Sequence, residues 1–260
     1  MKRNFRSHIP SKWKKTKALI KDESIAVYSP LTRLYSLPNL KQMLNQFGML
    51  YIKPDTGSKG MNVMRIQRIK RNRHVQLHHD DQSFTFKSIK DADNYLKRFT
   101  SKRTYLIQQG IRMLRNQNRP FDFRVMVQKN SDHDWELSGI CGRLAMPNRV
   151  VTNGSQGATI HTFRELMLPH LKRRQVKVYR RELVDLGMAI AYQMEDNFPD
   201  VWEVGIDIGI DQQLAPWIFE VNTRPEYIPF TKLKNLSMYR RMKRNARYAM
   251  SLGYKRYNVP

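Results

Sequence analysis

The sequence predicts an α+β fold of two lobes that share a cleft, and three observations support that prediction. Strand and helix periodicities alternate along most of the chain, which favours a mixed architecture. The strands become longer after Pro120, so we place a first lobe at residues 31–120 and a second lobe at residues 121–260. Polar side chains interrupt two neighbouring apolar strands over residues 203–222, where a site between the lobes would lie.

Composition limits the class of protein. Of the 260 residues, 40% are hydrophobic, which is enough for a substantial core. The single cysteine, Cys141, excludes an intramolecular disulfide. No apolar run approaches the ~18 residues of a membrane span, and the basic start of the chain lacks the ~7 to 15 apolar residues of a signal-peptide core, so we expect a cytoplasmic protein.

Positive charge is concentrated at the two ends of the chain. The formal net charge is +25, and residues 1–21 contain eight lysines or arginines and no acid, while residues 231–260 contain nine and no acid. We predict a basic N-terminal arm over residues 1–30 and a basic helix near the C-terminus. Both would suit polyanions such as nucleic acid, an anionic surface or an acidic assembly partner. A merely solubilising surface is the alternative.

The first lobe is predicted to combine helices with about four to five short strands. The segment "SLPNLKQMLNQF" repeats apolar residues at helical spacing, and Gly48 is placed to end that helix. The strand "MLYIK" follows, and three short antiparallel strands are expected over residues 62–87. Ser88, with Asp91 three residues later, begins another helix before the strand "TYLIQQ".

The second lobe is predicted to hold longer strands, one long helix and a hairpin. Two strands are expected on either side of a turn at residues 129–134. A helix from about Val178 to Asn197 repeats apolar residues at helical spacing. The segments "WEVGIDIGID" and "LAPWIFEVN" then form a hairpin that turns at residues 211–213.

Three side chains with oxygen donors lie on that hairpin. Asp207 belongs to its first strand, and Glu220 and Asn222 belong to its second strand, two residues apart and therefore on one face. Carboxylate and carboxamide oxygens suit Mg²⁺, which keeps positions for nucleotide phosphates. The alternative is that Asp207 caps a turn and Glu220 pairs with an arginine.

A candidate phosphate site lies in the first lobe. Lys53 ends an apolar strand, and Gly57, Ser58 and Gly60 follow in a turn whose backbone N–H groups could cover phosphates. The lysine precedes the glycines, which excludes a Walker A loop, and no dinucleotide-binding glycine pattern is present. The alternative is an ordinary Gly-Ser turn between strands.

Arginines on apolar strands supply further candidates. Asp122 and Arg124 share one face of a strand, Arg143 lies near the end of the next strand, and Asn153 lies in a glycine-bearing loop. Two converging arginines would suit an anion that gains charge during a reaction. The alternative is that they form salt bridges with Asp122 or its neighbours.

Seven short motifs occur in a recognisable order along the chain. A Lys-Pro pair with a Gly-Ser loop is followed by "IQQGI", "DFR", an arginine at a strand end, "TN", "GID" and "EVN". This order resembles the ATP-grasp superfamily, and most closely its YheC/YheD-like branch, which is associated with bacterial endospore coats. The resemblance covers roughly residues 31–230 and implies two α+β lobes that enclose ATP.

The resemblance assigns roles to the candidate residues and implies ATP and Mg²⁺ as cofactors. The residues expected to contact ATP are Lys53, Gly57, Ser58, Gly60, Gln108, Gln109 and Ile111, with the backbone of residues 108–111 facing adenine. The expected metal ligands are Asp207, Glu220 and Asn222. The expected catalytic residues, which would steady the transferring phosphoryl group, are Arg124, Arg143 and Asn153.

Two functions are compatible with the resemblance. The first is ATP- and Mg²⁺-dependent ligation of a carboxylate to an amine through an acylphosphate. The second is ATP binding by a spore-associated structural or assembly protein that ligates inefficiently and docks on polyanions through its basic ends.

Three features depart from the superfamily pattern. Only about 30 residues precede the matched region, so the usual N-terminal domain is expected to be missing or reduced. Asn62 stands where relatives often have glycine, although asparagine tolerates left-handed backbone. A second ATP-contacting lysine has no assigned position, and the candidates are Lys17, Lys21 and Lys41.

Overall fold

The computed structural model describes residues 8–57, 60–69, 74–146 and 157–254. The helices are α1 (Lys12–Leu19), α2 (Glu23–Ala26), α3 (Leu37–Phe47), α4 (Ile89–Thr100), α5 (Phe163–Met167), α6 (Arg173–Asn197), α7 (Ile228–Thr231) and α8 (Ser237–Ser251). The strands are β1 (Thr32–Leu34), β2 (Met49–Pro54), β3 (Met64–Arg68), β4 (Val75–His79), β5 (Gln82–Phe86), β6 (Tyr105–Gln109), β7 (Arg115–Asn116), β8 (Arg119–Lys129), β9 (Trp135–Leu144), β10 (Thr159–His161), β11 (Glu203–Ile210) and β12 (Pro216–Asn222).

The first lobe is an antiparallel sheet in the order β1-β6-β2-β3-β4-β5, with α3 and α4 packed against it. The ends of α3 are set locally, since the Ser36 side chain accepts from the N–H of Asn39 and Gly48 ends the helix in the left-handed region at φ +72°. The Ser88 side chain caps α4 in the same way. Both helices and the strands around them are therefore confirmed.

The second lobe is an antiparallel sheet in the order β10-β9-β8-β11-β12, with β7 beside β8. Along β8, Phe121, Phe123 and Val125 are buried in the core that α6 covers, while Asp122 and Arg124 lie on the opposite face. The helix α6 begins at Arg173, earlier than predicted, because its first turn is basic and carries little apolar signal.

The N-terminal segment is helical where the structure describes it. The buried side chains of Leu19 and Ile25 join the core of the second lobe, and α1 contacts α6 and β12. The backbone of Asp55, on the first lobe, accepts from the N–H of Lys12, and its side chain accepts from the N–H of Trp13. The predicted basic arm over residues 1–30 therefore includes a helix that contacts both lobes.

The hairpin of β11 and β12 contains a bulge at Phe219. Asp207 is opposite Glu220, but the next pair is Ile208 with Ile218, so Phe219 is an extra residue. As a result, Phe219 and Glu220 both line the cleft. A Cβ atom on Gly209 would lie 2.2 Å from the Phe219 ring, so that position requires glycine.

The C-terminal helix α8 covers the other end of the second sheet. Its buried residues include Met242, Ala246 and Ala249, and it packs against β8 and β9. Within the described ranges, no helix combines the length and the apolar character needed to cross a membrane.

Candidate functional site

A cleft between the lobes contains most of the predicted site residues. The predicted residues that line it are Lys53, Gly57, Gly60, Gln108, Gln109, Ile111, Arg143, Asp207 and Glu220. Arg124 and Asn222 are not lining residues, although each lies two residues from a lining residue, Asp122 and Glu220 respectively, on its own strand. Ser58 and Asn153 lie outside the described residues, so their assignments stay predictions.

Lys53 connects the two lobes at the centre of this cleft. Its Nζ donates to Gln108 Oε1 at 2.9 Å and to the backbone oxygen of Phe219 at 3.0 Å, and the residue is only 9% exposed. The bulge at Phe219 presents that carbonyl to the lysine. Burial lowers the pKa of Lys53 to about 8, a shift that the neighbouring Glu220 carboxylate only partly opposes.

Two lysines of α1 lie at the cleft or directly beside it. Lys12 lines the cleft, where its Nζ donates to the backbone oxygen of Gly57 at 2.7 Å and lies 3.4 Å from Glu220 Oε1. Lys15 is buried one turn later, and burial lowers its pKa to about 8 while Glu220 raises it. Three lysines therefore face the same carboxylate.

The lysines that the sequence suggested as second phosphate contacts lie elsewhere. Lys17, Lys21 and Lys41 are exposed and do not line the cleft. Lys21 instead donates to the Asn197 side chain, and Lys17 stacks on Trp13. None of these three lysines is therefore placed to contact a ligand in the cleft, whereas Lys12 lines it and Lys15 lies beside it.

A buried network joins the two arginines to two carboxylates. Arg143 donates to both oxygens of Asp122 at 2.8 and 2.7 Å and lies 3.1 Å from Asp207 Oδ1. Arg124 donates to both oxygens of Asp207 at 2.5 and 3.2 Å. Burial would raise the pKa of Asp207, but the two guanidinium groups outweigh it and lower the pKa below its ordinary value. The arginines therefore converge, and they also form the salt bridges of the alternative interpretation.

The proposed metal ligands share one face of the hairpin. Asp207 pairs with Glu220 in register, and Asn222 pairs with Gly205. No group of three or more His, Cys, Asp or Glu side chains is placed to hold a metal in the described part of the chain. The donor set is thus two carboxylates and one amide, which fits Mg²⁺ completed by phosphate oxygens. Arg124 would have to release an Asp207 oxygen, so the metal assignment stays a prediction.

The segment predicted to face adenine crosses from one lobe to the other. The N–H of Gly110 donates to the backbone oxygen of Met49 in the first sheet, and the N–H of Leu114 donates to that of Ile210 in the second. The Gln108 side chain is occupied, since its amide donates to Thr32 Oγ1 and its oxygen accepts from Lys53. The Gln108 side chain is therefore not free to contact a base, and the adenine assignment stays a prediction.

The loop after Lys53 has backbone angles that suit small residues. Gly57 and Gly60 have φ values of +124° and +69°, and Asn62 has φ +56°. Asn62 therefore occupies the left-handed conformation, which asparagine accepts at low cost.

Comparison with known proteins places the chain among ATP-grasp proteins. The "YheC/D like ATP-grasp" family model matches residues 2–252. The endospore coat-associated protein YheD of Bacillus subtilis (strain 168) is 29% identical over 220 residues, which cover 83% of this chain and 48% of YheD. YheC of the same strain is 23% identical over 220 residues, which cover 84% of this chain and 60% of YheC. The chain thus spans about half to three fifths of these relatives.

Solved structures with the same fold include ligases. The D-cycloserine synthetase DcsG superposes with a TM-score of 0.57 at 12% identity, over 94% of this chain and 70% of that one. D-alanyl-alanine synthetase A from Vibrio cholerae O1 biovar eltor str. N16961 gives a TM-score of 0.54 at 10% identity, over 93% of this chain and 64% of that one. The predicted ATP-grasp fold is confirmed.

Proposed function

The chain belongs to the YheC/D-like ATP-grasp family, and from this premise we propose that it is an ATP-dependent ligase that joins a carboxylate to an amine. Family membership and the ligase fold support a ligase-like function. The reaction class, the cofactor Mg²⁺ and the residue roles are our inference from the cleft. The donor acid and the amine are to be found by experiment.

One observation carries the proposal. A single cleft is lined by Lys12 and Lys53 together with Asp207 and Glu220. Ammonium groups are suited to phosphate oxygens, and paired carboxylates are suited to the divalent ion that accompanies a triphosphate. A site built only for structural ion pairing would not need an excess of three buried or nearly buried lysines around one glutamate.

Each group in the cleft has a distinct role in this proposal. Lys53, Lys12 and Lys15 would bind the triphosphate, and Mg²⁺, held by Asp207, Glu220 and Asn222, would neutralise charge on its β- and γ-phosphate oxygens. Arg143 and Arg124 would orient the acidic substrate and stabilise the phosphoryl group during its transfer.

The proposed reaction has two steps, a phosphoryl transfer to the carboxylate and an acyl transfer to the amine. A carboxylate oxygen of the donor attacks the γ-phosphorus, the bond from that phosphorus to the bridging oxygen breaks, and ADP leaves with its electron pair. The amine nitrogen then attacks the acyl carbon of the acylphosphate, phosphate leaves, and the amine proton passes to solvent. Positioning and electrostatics account for the protein's contribution, since no covalent intermediate with the chain is needed.

The first test separates nucleotide binding from ligation. We expect ATP with Mg²⁺ to raise the melting temperature more than ATP with EDTA does, because a ligand that binds only the folded state stabilises it. Phosphate release in pools of carboxylic acids and amines would then identify substrates by deconvolution. Equal melting temperatures with and without nucleotide would contradict the proposal.

A second candidate function is ATP binding without efficient ligation in a spore-associated assembly. The engagement of Arg124 and Arg143 by Asp122 and Asp207 favours it, because arginines held in this way are less free to meet a substrate. If this second function is right, ATP with Mg²⁺ should raise the melting temperature of the protein, and no substrate pool should give phosphate release above background. The names of the spore-coat relatives motivate the assembly setting.

The lowered pKa values of the lysines predict a pH dependence of nucleotide binding. Lys53 and Lys15 have pKa values of about 8 in the free protein, against an ordinary 10.5, and bound phosphate would raise them again. Above pH 8 binding must therefore take up protons, so affinity should fall by up to about tenfold per pH unit for each lysine. Titration calorimetry at pH 9 in two buffers with different ionisation enthalpies measures this uptake. Lys53→Met should reduce it, and zero uptake by the unmodified protein would refute the assignment.

A further inference from the structure

A basic groove on the second lobe is separate from the cleft and shares no lining residue with it. Its volume is about 620 Å³. It opens where β10 leaves β9, since β10 pairs only with Gly142–Leu144 and Thr162 then begins α5 instead of extending the sheet. The far wall is the first half of α6. We refer to this feature as the α5–α6 groove.

The floor of the α5–α6 groove is apolar. Ile140 from β9, Phe163 from α5 and Val176 from α6 line it and are almost fully buried, and Leu233 and Met238 also line it. Leu168 is 38% exposed at the rim. These side chains would be covered by an apolar group of a ligand, and that burial would favour binding.

The rim of the groove is strongly basic. The cations that line it are Arg164, Arg173, Arg174, Lys177 and Arg180, and no aspartate or glutamate lines it. Among the described residues, none of these five makes an ion pair or a side-chain hydrogen bond. The nearby Glu165 is engaged in the capping box of Thr162. The protein therefore does not neutralise the positive charge of the rim, which is available to a ligand.

We propose that the α5–α6 groove binds an acidic polypeptide segment that carries aliphatic or aromatic side chains. Carboxylates complement the five cations, and an apolar side chain fits the floor, so charge and apolar contact select the same ligand class. Single-stranded nucleic acid fits less well, because it needs exposed aromatic rings for base stacking and Phe163 is only 4% exposed. A second copy of this chain is disfavoured by its net charge of +25.

Fluorescence anisotropy with a defined probe tests this proposal. The probe is a labelled glutamate-rich peptide that contains leucines, and its comparison peptide has the same length and charge with serine in place of leucine. The groove variant carries Arg173→Glu, Arg174→Glu and Lys177→Glu, and the matched control carries Lys41→Glu, Lys87→Glu and Lys90→Glu on the first lobe. All six residues are exposed, so both variants should fold. Each variant replaces three cations by glutamate, so the two variants have the same net charge.

The expected result is a loss of at least about tenfold in affinity for the leucine peptide in the groove variant and a change within about twofold in the control. Leu168→Ser should remove the preference for leucine over serine. If the charge reversals unfold the protein, the glutamine versions of the same substitutions provide the test. Melting temperatures establish that each variant is folded.

Three outcomes would overturn the proposal. Equal losses in both triple variants would show non-specific attraction to a basic protein. Indifference to leucine in the peptide would remove the apolar floor from recognition. Tighter binding of a single-stranded oligonucleotide, lost in the groove variant, would identify a nucleic-acid site instead. The proposal does not depend on the ligase assignment, and the ATP-dependent thermal shift of the groove variant should be unchanged.

Discussion

Glu220→Gln should strongly weaken the magnesium-dependent part of ATP binding. Glutamine keeps the size of the side chain but removes the charge that would hold the metal, so affinity for ATP with Mg²⁺ should fall at least about tenfold. Affinity for ATP with EDTA should change less, because loss of the carboxylate removes a repulsion toward phosphate but also lowers the pKa of Lys15 and Lys53 further. Titration calorimetry under the two conditions measures both effects.

The control for this experiment is Glu226→Gln. Glu226 lies shortly after β12, is exposed, and does not line the cleft. The Glu226→Gln variant should bind ATP with Mg²⁺ as the unmodified protein does. A Glu220 variant whose affinities matched those of this control under both conditions would remove Glu220 from the metal site.

Arg143→Met should cause the largest loss of stability among substitutions in the cleft. Arg143 is 3% exposed and donates two hydrogen bonds to the 2% exposed Asp122. Removal of one member of a buried ion pair costs about 3–5 kcal/mol. For a chain of this size, that cost would lower the melting temperature by on the order of 10 °C. Chemical denaturation and calorimetry would measure the loss.

Two further variants show whether the buried pair is responsible. Adding Asp122→Asn to Arg143→Met should recover part of the loss, because the carboxylate that needs a cation is gone. Arg244→Met removes a 69% exposed arginine that faces Glu136, and exposed pairs contribute at most about 1 kcal/mol. A loss for Arg143→Met no larger than that for Arg244→Met would contradict the argument.

The lobes and many of their elements could be predicted because their signals are local. The apolar spacing of α3, its Ser36 cap and its Gly48 end all lie within one short segment. The pairing of Asp207 with Glu220 follows from two adjacent strands and a short turn. That Lys53 faces them across the cleft is a long-range relation, and it came from the resemblance to a family rather than from periodicity.

The part of the site on α1 could not be predicted from local signals. Lys12 and Lys15 lie on the same face as Ala18 and Leu19, but lysines on a helix usually face solvent, so the segment reads as a basic arm. Burial of these lysines depends on Glu220 and on the carbonyl of Gly57, which are distant in sequence. The available signal was the three-residue spacing of Lys12 and Lys15, which places both lysines on the otherwise apolar face of α1.

The bulge at Phe219 and the pairing of Asp207 with two arginines could not be predicted from the sequence either. A bulge depends on how two strands meet, and no glycine or proline marks Phe219. Both Arg124 and Arg143 were recognised as candidates, but only the folded arrangement shows that they share one carboxylate. The chemistry of the site therefore depends on contacts between strands that are each predictable alone.

The sharing of Asp207 implies thermodynamic linkage between two kinds of ligand. A divalent ion that takes an Asp207 oxygen releases a guanidinium of Arg124, and an anion that engages that guanidinium frees the carboxylate. Each ligand would thus remove an obstacle to the other, and by reciprocity each would increase the affinity for the other by the same factor. Metal and acidic substrate should accordingly bind with positive cooperativity, and this cooperativity requires no direct contact between them.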